Sequence, residues 1–401
     1  MAAIPKVSAS TQTSISAARP EVALLLNCAR GRLTESNKKQ IQELVAGNCD
    51  WDYLLQLADR HGMQPLLHWH LNAVCSDAIP DDARQHLRVA FQRVSALNIL
   101  LTHELQELLA LFAENEVRAV PYKGPALALQ LYGDVALRQF SDLDILVHPQ
   151  DILRARDLLL ARGYAQLPPL TEDQQAVLLR TQCNLPFTKE RNRMIVELHW
   201  TVSAPSFARP FERDDFWSRL VNGQLQGKEI KLPCNEDLML ALCIHGSKHL
   251  WERLAWICDI AGLVRANPDL NWAELSQRAR ATGSERMLFL GLRLASELLQ
   301  AQLPSEIETA LNHDASIETL AKEVVGDLFT PSPQPSGITG YFLFQMKARR
   351  RLRDKISYLR FTFTPNEEDL VRLKLPASLN FIYYLVRPVR LVVTGGPSHF
   401  H

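Results

Sequence analysis

Along the first part of the chain, apolar residues return every three or four positions, from Glu21 to about Asn115. That spacing sets them on one stripe of a 3.6-residue helix. EVALLLNCARG ends on Gly31, and TESNKKQIQELVAG opens on a Thr34 cap and stops at Gly47. WDYLLQLADRHG and a long run from about Asp81 to Glu114 continue the pattern. Residues 21–115 thus read as a helical region behind a loose Ser/Thr/Ala-rich tail over residues 1–20.

At Val117 the period changes. VRAVPY reads as a short strand ending at Lys123-Gly124, and Pro125 then opens a helix, PALALQLYG, that closes at Gly133. SDLDILVHP alternates with period two, so Leu143, Ile145 and Val147 face one way and Asp142 and Asp144 the other. PQDILRARDLLLARGY is an amphipathic helix ended by Gly163, and NLPFTK and MIVELHW flank the polar ERNR as an antiparallel hairpin. From about Pro233 the chain is helical again, with NEDLMLALCIHGSKHLWERLAWICDIAGLV as one long helical stretch capped by Asn235. TPSPQPSGITG is a loop, and in RFTFTPNEEDL Thr364 caps a helix with Pro365 in its first turn.

The expectation is an α+β chain: a small mixed-sheet core over 116–203, flanked by helical regions at 21–115 and 204–330 and by a helical extension over 331–401. Lys+Arg and Asp+Glu number 44 each, so net charge selects neither a nucleic-acid binder nor an acidic scaffold, although a local basic face suffices for RNA. The seven cysteines are scattered and make no zinc spacing, which fits free thiols in a reducing cytoplasm. No apolar run is long enough to span a bilayer, and the N-terminus is no secretory signal.

Chemistry concentrates in the core. Asp142 and Asp144 at i and i+2 share one strand face and can chelate one hard cation. Glu197, inside the apolar MIVELHW strand, shares a face with Ile195 and His199. If that hairpin lies beside the SDLDILV strand, three acids converge, enough to hold a pair of Mg²⁺ ions.

The elements Lys123-Gly124, Leu131-Tyr132, Arg138, Asp142-Leu143-Asp144, Glu197-Leu198-His199-Trp200 and His245-Gly246-Ser247-Lys248-His249 resemble a bacterial family of uncharacterised nucleotidyltransferases. That family belongs to the DNA polymerase β-like nucleotidyltransferase superfamily. The resemblance implies transfer of an NMP from an NTP, the donor substrate, to an acceptor hydroxyl or phosphate. Asp142, Asp144 and Glu197 would be the catalytic, two-Mg²⁺ residues, and Lys123, Gly124, Arg138 and Lys248 would contact the nucleotide. His245 and His249 would lie near the acceptor, whether small molecule, peptide or protein. One departure from the superfamily is Pro125, where its turn carries a second Gly or Ser. The alternative is a catalytically inactive nucleotide-binding or scaffold protein with the same fold.

On a continuous helix, His245, His249, Glu252, Trp256 and Asp259 fall in one narrow stripe with Lys248 beside it, a wall suited to face the sheet. The histidine pair also has a zinc-like spacing, without the intervening glutamate or a third ligand. KARRRLRDKISYLR holds seven basic residues against one acid and reads first as a solvated face, with an acidic partner, RNA or an anionic membrane surface as alternatives.

Overall fold

The computed structural model describes residues 19–189, 194–208, 213–330, 337–372, 375 and 377–393. The expected tail up to residue 18, the hairpin turn ERNR and most of the TPSPQPSGITG loop lie outside them. Among the described residues five α-helices come first: α1 (Pro20–Cys28), α2 (Glu35–Ala46), α3 (Trp51–Arg60), α4 (Gln64–Cys75) and the long α5 (Asp81–Glu114). Thr34 caps α2 through the Asn37 amide and Asp50 caps α3 through that of Tyr53.

The core follows as β1 (Ala119–Pro121), α6 (Gly124–Tyr132), β2 (Asp142–Val147), α7 (Ile152–Ala161), β3 (Ala165–Gln166), α8 (Glu172–Thr181), β4 (Asn184–Lys189) and β5 (Met194–His199). The sheet order is β1-β2-β5-β4-β3. Only β2 and β5 run parallel, so the sheet is mixed. The pleat divides β2 cleanly: Leu143, Ile145 and Val147 enter one apolar cluster with Leu105 and Phe112 of α5 and Leu159 of α7. The other face of β2 turns Leu146 toward the helical cluster.

The rest is helical around one short hairpin. α9 (Arg213–Ser218) leads to β6 (Val221–Leu225) and β7 (Lys228–Leu232), an antiparallel pair that the sequence pattern did not suggest. α10 (Asn235–Lys248), α11 (Leu254–Ala266), α12 (Trp272–Thr282), α13 (Glu285–Leu299), α14 (Ser305–Asn312) and α15 (Ala315–Leu328) pack into the cluster that also takes in α1 to α4. α16 (Ile338–Lys347), α17 (Leu352–Phe363), α18 (Glu367–Arg372) and α19 (Tyr383–Val393) complete the described chain.

Three expectations are corrected. The long stretch after Pro233 is two helices, because Leu250 and Trp251 adopt left-handed backbone (φ 54° and 57°) and end the first. Trp251 then inserts between Gly246 and Gly291, fully buried; a Cβ on Gly246 would lie 2.6 Å from its ring. The cap of α10 is Cys234 in position, without a side-chain bond, and Asn235 is its first residue. Thr364 likewise ends α17, its hydroxyl donating to the Arg360 carbonyl, while Asn366 and Asp369 form the reciprocal bonds that start α18.

Candidate active site

The site grows out of the turn between β1 and α6. Gly124 has φ +56°, a region that favours glycine, and a Cβ there would meet the Asp142 carbonyl at 3.5 Å. The turn therefore lies in van der Waals contact with the start of β2. Pro125 occupies the first turn of α6, where a missing N–H costs little, and Gly133 closes that helix in left-handed conformation.

Parallel pairing supplies the rest. Asp144 stands opposite Glu197, Asp142 opposite Ile195, and Leu146 opposite His199. The three acids inferred from alternation thus meet on one face of the sheet. Asn184 of β4 donates to Glu197 Oε2 at 2.9 Å and fixes its carboxylate. His199 Nε2 lies 3.0 Å from Asp144 Oδ1 and 3.2 Å from Glu197 Oε2, bridging the two. Lys123 Nζ donates to Asp144 Oδ1 at 3.3 Å and lies 3.3 Å from His245 Nδ1. An ammonium has no acceptor, so that imidazole nitrogen must accept.

The electrostatics follow from this crowding. Burial opposes ionisation of Asp144, but Lys123 and His199 together hold its carboxyl well below the usual range. Glu197 is also lowered, its burial outweighed by the His199 bond. Asp142 is pushed up, first by burial and then by the charges of Asp144 and Glu197. His199 is raised well above the ordinary imidazole value, because the carboxylates and the Cys183 side chain overcome its burial. His245 is driven the opposite way by burial and by the positive charge of Lys123, and stays neutral.

Could a metal fit here? Donor atoms of Asp144, Glu197 and His199 lie within 4.8 Å of one another, and Asp142 faces the same space from one pleat further back. A third carboxylate that ionises reluctantly beside two others is the charge pattern that a bound cation relieves. Carboxylate oxygens suit a hard divalent ion. The residues fit such an ion.

Not every inferred residue reaches the acids. Arg138 makes a bidentate pair with Asp259 of α11, through Nε at 3.0 Å and Nη2 at 2.9 Å. Burial works against its charge, and Asp259, with Tyr132 and Asp144, more than restores it. Asp259 therefore belongs to a brace, and Arg138 spends its fork there. His245, His249 and Trp256 cluster with ring centroids 4.7 to 5.5 Å apart, although they come from α10, the residue just after it and α11. Lys248 ends α10, and its carbonyl accepts from the Tyr341 hydroxyl at 3.0 Å.

Two residues escaped the sequence reading as site groups. His199 had a signal in its shared face with Glu197. Glu367 had only the acidic run NEEDL to mark it. In that run Asp369 is held by Arg387 and Arg390, and Glu368 by Arg372 and Arg390. Glu367 instead lies within electrostatic reach of Glu197 and Lys248, and burial followed by the Glu197 charge pushes its carboxyl up to about 7. Just before it, the Pro365 carbonyl accepts from Gln182 at 2.7 Å, next to Cys183 and Asn184 in sequence.

Beyond the C-terminal ends of β2 and β5 a cavity of about 320 Å³ opens, lined by Leu146, Pro149, Leu179, Trp200, Phe216 and Trp217, among others. Leu146 is two residues from Asp144 on the same strand face, about 7 Å along the strand.

Among the described residues no helix is long and apolar enough to cross a membrane. A search among curated proteins finds no match. Residues 47–300, more than half of the chain, match the family described as uncharacterised nucleotidyltransferase, and the protein is a nucleotidyltransferase belonging to that family.

Proposed function

We propose that the protein transfers a nucleoside monophosphate from an NTP to an acceptor hydroxyl or phosphate in a Mg²⁺-dependent reaction. The observation that carries this reading is the Asp144–Glu197 pair, opposite each other on parallel strands with Asp142 in the same acidic row. The acceptor oxygen bonds to the α-phosphorus, the bond from that phosphorus to the bridging oxygen breaks, and pyrophosphate leaves. The acceptor proton passes to a base.

Asp142, Asp144 and Glu197 would hold two Mg²⁺ ions, whose chemistry is to acidify the acceptor and to stabilise charge at the α-phosphate. The residues of the chain do the remaining work. The Gly124 turn lets backbone approach the triphosphate, and Lys123, released from Asp144, offers it a cation. Lys248, within electrostatic reach of His245 and Glu367, supplies a second charge, and Arg138 shapes the site from its brace to Asp259. Neutral His245, with His249, faces the acceptor side. The aromatic cavity past Leu146 suits the organic part of a substrate, with Trp200 and Trp217 offering stacking faces.

The test has two parts. Thermal unfolding with each NTP, with and without Mg²⁺, is compared for wild type, Asp144→Asn and Glu197→Gln. Saturating ligand at 100 times its dissociation constant adds about 2.7 kcal/mol to stability. The expected result is a Mg²⁺-dependent shift in wild type only, with pyrophosphate release once an acceptor is supplied. Undiminished transfer by both variants would sink the assignment. A second reading, a binding protein without turnover, is favoured by Pro125, which removes a backbone donor from the turn. It predicts the nucleotide shift without pyrophosphate release from any acceptor.

A further inference from the structure

The basic segment found in the sequence is not absorbed by the active site. Arg349, one of its members, is buried, donating to the carbonyls of Gln345 and Phe207. The remainder borders or belongs to α17. At about 100° per residue, the exposed side chains Leu352, Ile356, Leu359 and Phe363 fall within an arc of about 60°. The opposite side of the helix carries the buried Asp354, Tyr358 and Phe361. An apolar stripe thus runs along the outside of a helix whose inner face is already packed. Leu352 is 72% exposed and Phe363 49%.

Cations flank the stripe. Arg353, 3.8 Å from Asp354, and Arg360 lie on one side of it and Lys355 on the other, with Arg351 and the Glu285-paired Arg350 at the N-terminal end. Asp354, the one acid of α17, is turned inward against Gly283. Among the described residues no carboxylate lies within ion-pair distance of Arg351, Lys355 or Arg360. The neighbouring α19, bound to α17 through Arg387 and the Thr362 carbonyl, exposes Leu385 at 64% and Val389 at 63%. Its arginines 387 and 390 are buried on Asp369, so it adds apolar surface without adding exposed charge there.

We infer that the outer face of α17, extended by α19, binds the surface of an anionic lipid bilayer. A narrow apolar stripe between rows of Lys and Arg matches an in-plane interfacial helix, its side chains entering the acyl boundary while the cations meet the headgroups. RNA would use the cations and leave the aliphatic stripe in water. A second copy docked on the same face by two-fold symmetry would set the like-charged flanks against each other. An anionic bilayer satisfies both halves of the surface.

The experiment is co-sedimentation of the full chain with vesicles of phosphatidylcholine alone or mixed with phosphatidylglycerol. The expected result is binding to the mixed vesicles, weakened by salt, and little to the neutral ones. Leu352→Glu/Phe363→Glu should reduce binding at least about tenfold, because two apolar groups are replaced by charges that the surface repels. Arg353→Gln/Arg360→Gln should reduce it by about fivefold for each charge removed. All four positions are exposed, and an unchanged unfolding midpoint in each variant confirms that the fold is kept. Wild type that ignores anionic vesicles, or that binds neutral ones equally well, overturns the inference. So does binding that survives Leu352→Glu/Phe363→Glu, or a concentration-dependent dimer or RNA complex that those substitutions abolish in the absence of vesicle binding. No arm involves nucleotide, so the result is independent of the transfer reaction.

Discussion

Replacing Asp259 with Asn separates two jobs that Arg138 could perform. The guanidinium and carboxylate are 2.9 Å apart, with only 10% and 2% of their side chains exposed. At that distance and an effective dielectric near 20, their attraction is about 6 kcal/mol before desolvation is subtracted. Removing one partner leaves the other buried and uncompensated, at a cost of about 3–5 kcal/mol. Asp259→Asn and Arg138→Met should each lose that much stability in equilibrium urea unfolding. The double change Arg138→Met/Asp259→Leu should lose far less than the two singles added together, because no charge is stranded. The same proteins are then tested for the Mg²⁺-dependent nucleotide shift. A fully stable Arg138→Met that has lost nucleotide binding would refute the brace and make Arg138 a phosphate ligand.

Gly246→Ala sets a methyl 2.6 Å from the Trp251 ring, which is closed in on its other side by Gly291. The overpacking should cost about 1–3 kcal/mol or more in urea unfolding, and a neutral substitution would mean that Trp251 can move. His61 is buried, its Nδ1 accepting from the Leu254 amide, and burial drives its pKa down to about 3. The unfolded chain takes up a proton near 6.5 and the folded one does not, so stability should fall as pH drops from about 6.5 toward 3, by up to ~1.4 kcal/mol per pH unit. His61→Gln should flatten that slope, and an unchanged slope would remove His61 as its source. Glu367, held at about 7 by burial and Glu197, binds its proton more tightly when folded, so its contribution is present at pH 4 and lost as pH rises through 7. Glu367→Gln should therefore be more stable than wild type at pH 8 and lose that advantage by pH 4 in unfolding scans. A constant difference across the range would disprove the assignment.

The legible parts of this fold are those whose signal is periodic. Alternation in SDLDILV and MIVELHW put Asp142 with Asp144 and Glu197 with His199, since a pleat leaves a side chain only two directions, and the pairing of β2 with β5 then brought the two sets together. Thr34 and Gly47 bounded α2 because cap chemistry is local. What failed was not local. The break after α10 rests on left-handed Leu250 and Trp251, and neither residue type announces that conformation; packing of the indole between two glycines enforces it. Arg138, expected at the nucleotide, pairs with Asp259, 121 residues away in sequence. Glu367 comes within reach of Glu197 through a segment tied to α8 by Gln174, Thr181 and Gln182, contacts that sequence spacing does not announce.

The register of β2 against β5 has one more consequence. His199 and Asp144 are 55 residues apart in sequence, with α7, β3, α8 and β4 between their strands. Pairing of such distant segments comes after local structure, because its loop closure must be met before any contact repays it. A chain in which β2 and β5 have not yet paired therefore cannot present the complete acidic row. Capture of a divalent ion at this place would mark arrival at the finished topology, and would pull the last folding step forward by mass action.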